Sequence, residues 1–158
     1  MVAAACAVVL AVTACSAPAP LAAETESAVD LHQQNVEALE QYVTAERATL
    51  PQIMQLYPGL YSEVEVKGTF EESNGDRGIP PGTYAVVWFD YTYANAMDWS
   101  ATMADLDAQR SGIDDLCAHT IFPAMRRAGI TGNLSVVYSY GDGRSAFGPM
   151  WSHTCSDY

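Results

Sequence analysis

The chain has 158 residues, a net charge of −12, and 49% hydrophobic against 16% charged residues. That apolar content excludes a disordered chain, and the acidity excludes electrostatic binding to phosphate backbones or anionic lipid headgroups. No Lys, Arg, Asp or Glu precedes Glu24, so the whole charge lies C-terminal to the apolar stretch at the start of the chain.

Residues Val2 to Ala14 are all Ala, Val, Leu, Cys or Thr. The run has the length of a signal h-region and falls short of the roughly 20 residues a spanning helix needs. It ends in Val12-Thr13-Ala14-Cys15, which resembles the lipobox of bacterial lipoproteins, small actinobacterial envelope lipoproteins among them. The resemblance implies cleavage before Cys15 and a diacylglyceryl group on its thiol. Two acyl chains hold a protein at a membrane where one does so only marginally. No basic residue opens the run, so a natural start upstream of Met1 is expected. The alternative is an ordinary secretory signal cut after one of Ala17, Ala19, Ala22 or Ala23.

The division expected is a signal peptide over 1–14, a lipidated Cys15 with a Pro/Ala-rich spacer over 15–26, and one domain over 27–158. About 130 residues are enough for a single core. Of four cysteines, Cys6 falls in the signal and Cys15 carries the lipid that the resemblance implies. Cys117 and Cys155 remain, and in an oxidising compartment an even pair reads as a structural disulfide.

In chain order, Ser27 with Asp30 three residues later is a capping-box variant that starts a helix. Val29, Val36, Leu39, Val43, Leu50, Ile53 and Tyr57 form its apolar stripe, broken by His32 and Glu46. Pro51 should kink or split this helix near Thr49. From Tyr61 the period becomes two, with Val64, Val66 and Phe70 on one face of a half-buried strand. After the Glu72–Gly82 turn region, Thr83–Tyr93 is apolar on both faces and reads as a central strand. Ala85, Val87, Phe89 and Tyr91 lie on one side, and Tyr84, Val86 and Trp88 on the other.

Met97 to Ala128 returns to helical spacing, in pieces because of Gly112 and Pro123, and closes at Gly129. Asn133–Tyr140 alternates as a third strand, and Gly141-Asp142-Gly143 reads as a hairpin turn into a fourth, Ser145–Cys155. The fold expected is α+β in the order α-β-β-α-β-β: an antiparallel four-stranded sheet with helices on one face.

For chemistry, Asp115 and His119 stand four apart on one helix face, which suits a metal or an oriented imidazole and equally suits a plain ion pair. Two ligands do not make a metal site. Glu71, Glu72 and Asp76 are candidate paired carboxylates, or simply a solvated loop. Ser139 and Ser145 flank glycines that are explained as turn residues. No P-loop, dinucleotide fingerprint, H-E-x-x-H or G-x-S-x-G occurs. No catalytic residue, metal or cofactor is therefore assigned.

Tyr84 and Trp88 share one strand face, a platform for sugar rings, peptides or a partner protein if that face is open, and Trp151 and His153 would extend it if register allows. The expected function is a lipid-anchored extracytoplasmic binding module of the bacterial envelope. It would be held to the membrane through Cys15, with a glycan, peptide or protein ligand and no nucleic acid. The alternatives are an envelope hydrolase and a self-associating scaffold.

Overall fold

A computed structural model describes residues 21–75, 79–145 and 148–158, with side chains of the first helix from Asp30 onward. Cys15, the lipobox and Asp76 lie outside the described residues.

Helix α1 runs over Leu21–Leu56. It begins six residues before Ser27, so residues 21–26 belong to the helix and not to an extended spacer. It also passes through Pro51 unbroken. A proline there forfeits the bond to the Arg47 carbonyl, and the helix continues because Leu50, just before it, packs against the core. Ala38, Leu39, Tyr42 and Val43 are the buried face, which follows the sequence stripe through its middle turns.

The strands are β1 (Tyr61–Ser73), β2 (Gly82–Tyr93), β3 (Asn133–Gly141) and β4 (Trp151–Asp157), in spatial order β1-β2-β3-β4. β1 and β2 pair antiparallel, as do β3 and β4, but β2 and β3 are parallel. The sheet is therefore mixed and not wholly antiparallel. The cause is the helical crossover between β2 and β3, which carries the chain back to the end of the sheet where β2 started.

That crossover is several elements, so the order is not the simple α-β-β-α-β-β. It holds α2 (Trp99–Ala108), α3 (Arg110–Leu116), a π-helical turn over Cys117–Ile121, and α4 (Phe122–Arg127). The first break falls at Gln109, while Gly112 lies inside α3. Pro123 has no N–H to offer the His119 carbonyl, and the ladder before it widens so that the Phe122 N–H bonds the Cys117 carbonyl. Gly129 follows α4 with φ 98°, as the helix-ending glycine must. The fourth strand starts at Trp151 and not at Ser145, so β3 and β4 are joined by the longer connection 142–150 and not by a tight hairpin turn.

One face of the sheet carries the main core. Val66 of β1, Ala85, Val87 and Phe89 of β2, Leu134, Val136 and Tyr138 of β3, and Trp151 and Cys155 of β4 pack with Leu39, Val43, Leu106, Phe122 and Met125 of the helices. Gly68 lets α1 approach β1 closely, since a Cβ there would stand 2.7 Å from Val43 Cγ2 and 3.0 Å from Leu39 Cγ. Cys117 and Cys155 form a disulfide that ties the crossover to β4. Helices on one side of a four-stranded sheet make this an α+β two-layer domain.

Candidate functional site

The face turned away from the helices presents Tyr84, Val86, Trp88 and Asp90 of β2, flanked by Glu71 and Lys67 on β1 and by Val137 and Ser139 on β3. Strand alternation puts them there, because their odd-numbered neighbours on β2 face the core. Tyr84, Val86 and Val137 form a second, small apolar cluster with Ile79 and Trp88 packed on it. The loop after β1 covers part of it: Ile79 sits against the cluster, and the Tyr84 hydroxyl donates to the Pro80 carbonyl at 3.1 Å. Tyr84 is consequently only 3% exposed, and burial, with Tyr158 second, pushes its phenol above the usual value.

Trp88 is half-buried and stands between two grooves, lining both. One, of about 350 Å³, is bounded by Glu71, Ile79, Tyr84, Val137 and Thr154. The other, of about 580 Å³, is bounded by Lys67, Thr69, Asp90, Ser139 and Pro149. The indole Nε1–H donates to Glu71 Oε1 at 3.2 Å, which fixes the ring as a ridge. Beyond it, Ser139 donates to Asp90 Oδ1, and Lys67 Nζ lies 3.4 Å from Asp90 Oδ2 and 2.7 Å from Glu65. The Glu65 hydrogen bond leads in pushing the Lys67 ammonium pKa upward. An aromatic ridge with carboxylates and hydroxyls on both flanks can stack on an apolar ring face while hydrogen-bonding its polar rim.

Trp151 does not join this surface. It pairs with Tyr140 on the helix-covered face and is 6% exposed. Its register partner settles this, and one strand's sequence carries no register. His153, two residues on, shares that inner face.

There Trp151 and His153 meet α3 in a polar cluster. Arg110 Nη1 lies 2.8 Å from His153 Nδ1, and Asp114 Oδ1 lies 2.6 Å from Nε2. The Trp151 Nε1–H donates to Asp107 Oδ1 at 2.8 Å, and the same oxygen accepts from Arg110 Nε at 2.8 Å. The Arg110 guanidinium stacks over the Trp151 ring at 4.8 Å. The Trp151 bond first, and Arg110 second, hold the Asp107 carboxyl below the usual carboxylate range.

Asp115 and His119, the helix pair suggested by spacing, are both exposed. No hydrogen bond joins them among the described residues. The π turn that begins at Cys117 breaks the regular i, i+4 relation on which the pairing rested. Among the described residues, the donors that converge are Asp114, His153 and Cys155, whose ligand atoms lie within 4.8 Å of one another. Sequence spacing held a signal for them. A bridge from Cys117 to Cys155 brings together residues one helical turn before 117 and two strand positions before 155, which are Asp114 and His153.

Compared with protein-family models, curated proteins and solved structures, the chain matches none.

Proposed function

We propose that this chain is a lipid-anchored binding module of the bacterial cell envelope, held through Cys15 and binding its ligand on the sheet face around Trp88. The observation that carries the reading is the Trp88 ridge between two grooves of ligand size, about 350 and 580 Å³. The lipobox resemblance supports the anchor, and the Cys117–Cys155 bridge agrees with an oxidising compartment. Among the described residues no helix is long and apolar enough to cross a membrane.

The binding half is tested by titrating the purified domain with soluble envelope glycan fragments and peptides. Trp88→Ala removes the central aromatic anchor, a loss of about 2 kcal/mol or more. Binding should fall at least roughly thirtyfold at a temperature where circular dichroism shows the variant still folded; unchanged affinity contradicts the site. The anchor is tested by fractionation: Cys15→Ser should move the protein from membranes to the soluble exported fraction, and detergent-dependent retention contradicts lipidation.

One observation favours the scaffold alternative. Leu56, Tyr57 and Leu60 are 73, 52 and 40% exposed where α1 turns into β1, an apolar group of the kind that mediates self-association. Sedimentation of wild type against Leu56→Glu distinguishes it, a shared monomeric mass being the outcome against a scaffold.

A further inference from the structure

The donors gathered around the disulfide have a chemistry that the bridge itself conceals. In the oxidised chain Cys155 Sγ is bonded to Cys117 Sγ at 2.02 Å. His153 Nε2 and Asp114 Oδ1 are 2.6 Å apart, and one ring nitrogen of His153 and one carboxylate oxygen of Asp114 lie within 4.8 Å of that sulfur. Two thiolates, an imidazole and a carboxylate form a donor set suited to a tetrahedral, borderline-soft divalent cation. Cys117 is wholly buried and Cys155 is 7% exposed, while Asp114 is open to solvent. The sulfurs would form the sheltered floor of such a site and the carboxylate its mouth.

We propose that reduction of the Cys117–Cys155 disulfide converts this corner of the fold into a zinc-type site made of Cys117, Cys155, His153 and Asp114. In the first step a dithiol reductant is oxidised to its own disulfide, and both protein sulfurs become thiols. In the second, the cation binds both sulfurs and the two thiol protons leave to solvent. The oxidised bridge and the metal-loaded dithiolate are alternative states of one site, because a sulfur shared in the bridge has no thiolate to give.

Arg110 opposes the loaded state in a way that can be measured. Coordination at Nε2 moves the ring proton to Nδ1, where Arg110 Nη1 now sits at 2.8 Å and can accept nothing. Arg110 must withdraw, and its second partner is already in place: Asp107 Oδ1 lies 2.7 Å from Nη2. Removing the guanidinium should therefore tighten binding.

The test uses cobalt(II) and zinc with the purified chain, with and without dithiol reductant. The reduced chain should take up one cobalt per molecule with thiolate-to-cobalt charge-transfer absorption, displaced by zinc, and the oxidised chain should show none. His153→Ala and Asp114→Asn should each weaken binding by roughly tenfold or more, and Arg110→Ala should strengthen it. Circular dichroism is recorded alongside. If reduction alone loosens the fold, metal must restore its helix and sheet signal, since binding and folding are then one equilibrium. Cobalt uptake equal in wild type and His153→Ala, an oxidised chain that binds as well as the reduced one, or a loosened chain that metal does not refold would each overturn the proposal.

Discussion

Arg110 Nη1 lies 2.8 Å from His153 Nδ1, and this contact determines where the ring carries its proton. A guanidinium only donates, so Nδ1 accepts, and the neutral imidazole must hold its proton on Nε2 and donate it to Asp114 Oδ1 at 2.6 Å. Where the ring is neutral, a long-range nitrogen–proton correlation spectrum should show the Nε2–H tautomer of His153. Removing both partners, Arg110→Ala with Asp114→Ala, should release the ring to a tautomer mixture, whereas Arg110→Ala alone should leave the proton on Nε2 facing Asp114. A wild-type Nδ1–H signal would contradict the arrangement.

The Cys117–Cys155 bridge closes a loop with a sequence separation of 38, and a loop of that size limits the unfolded chain by about 3–4 kcal/mol. Cys117→Ser should lower the unfolding free energy by an amount of that order and with it the urea midpoint, and the slope should rise because the freed unfolded chain exposes more surface. Titration of denatured, unreduced wild type should find neither of these two thiols. Two reactive thiols there, or an unchanged midpoint, would remove the bridge from the account.

Gly68 is the contact on which α1 seats against β1. A methyl group there meets Val43 Cγ2 at 2.7 Å and Leu39 Cγ at 3.0 Å. Overpacking of that kind costs about 1–3 kcal/mol, against a gain of about 0.4–1 kcal/mol from restricting the unfolded backbone. The balance predicts that Gly68→Ala lowers the urea midpoint. A rise would mean that α1 is not seated against β1 at that residue.

Tyr61 sits against Tyr93 and Tyr91 at ring distances of 5.3 and 5.2 Å. Burial, followed by Tyr93, pushes its phenol up to about 12. A raised folded value means the folded state holds the proton more tightly than the unfolded one. Its contribution is therefore complete below about pH 10, the unfolded value, and is lost as pH rises through about 12. Tyr61→Phe should reduce the loss of stability between those limits. Equal alkaline sensitivity in wild type and variant would contradict the burial of this ring.

The elements legible in the sequence were those set by short-range periodicity. The central strand around Trp88, the stripe Leu39–Val43 on α1 and the end of α4 at Gly129 all follow from spacing and local backbone preference. What depended on long-range pairing was not legible. The parallel relation of β2 and β3 arises from where the crossover returns, and Trp151 turned inward because its register partner is Tyr140. Pro51 was overridden by tertiary packing of the helix around it. The Tyr84 and Trp88 face was legible as a face, but its cover by Ile79 and Pro80 came from a loop whose sequence only says that it turns. The Asp114–His153 contact needed the disulfide to be followed one turn along the helix and two residues along the strand.

The most direct test of the central claim is a proton–nitrogen shift map of the labelled domain during titration with soluble envelope glycan fragments and peptides. The Trp88 indole N–H, bonded to Glu71 at 3.2 Å, is the reporter. The binding-module account predicts saturable shifts at that indole and at the amides of Tyr84, Val86 and Val137, with the helix-covered face silent. Shifts confined to the helices, or none at saturating concentrations of either class, would contradict it.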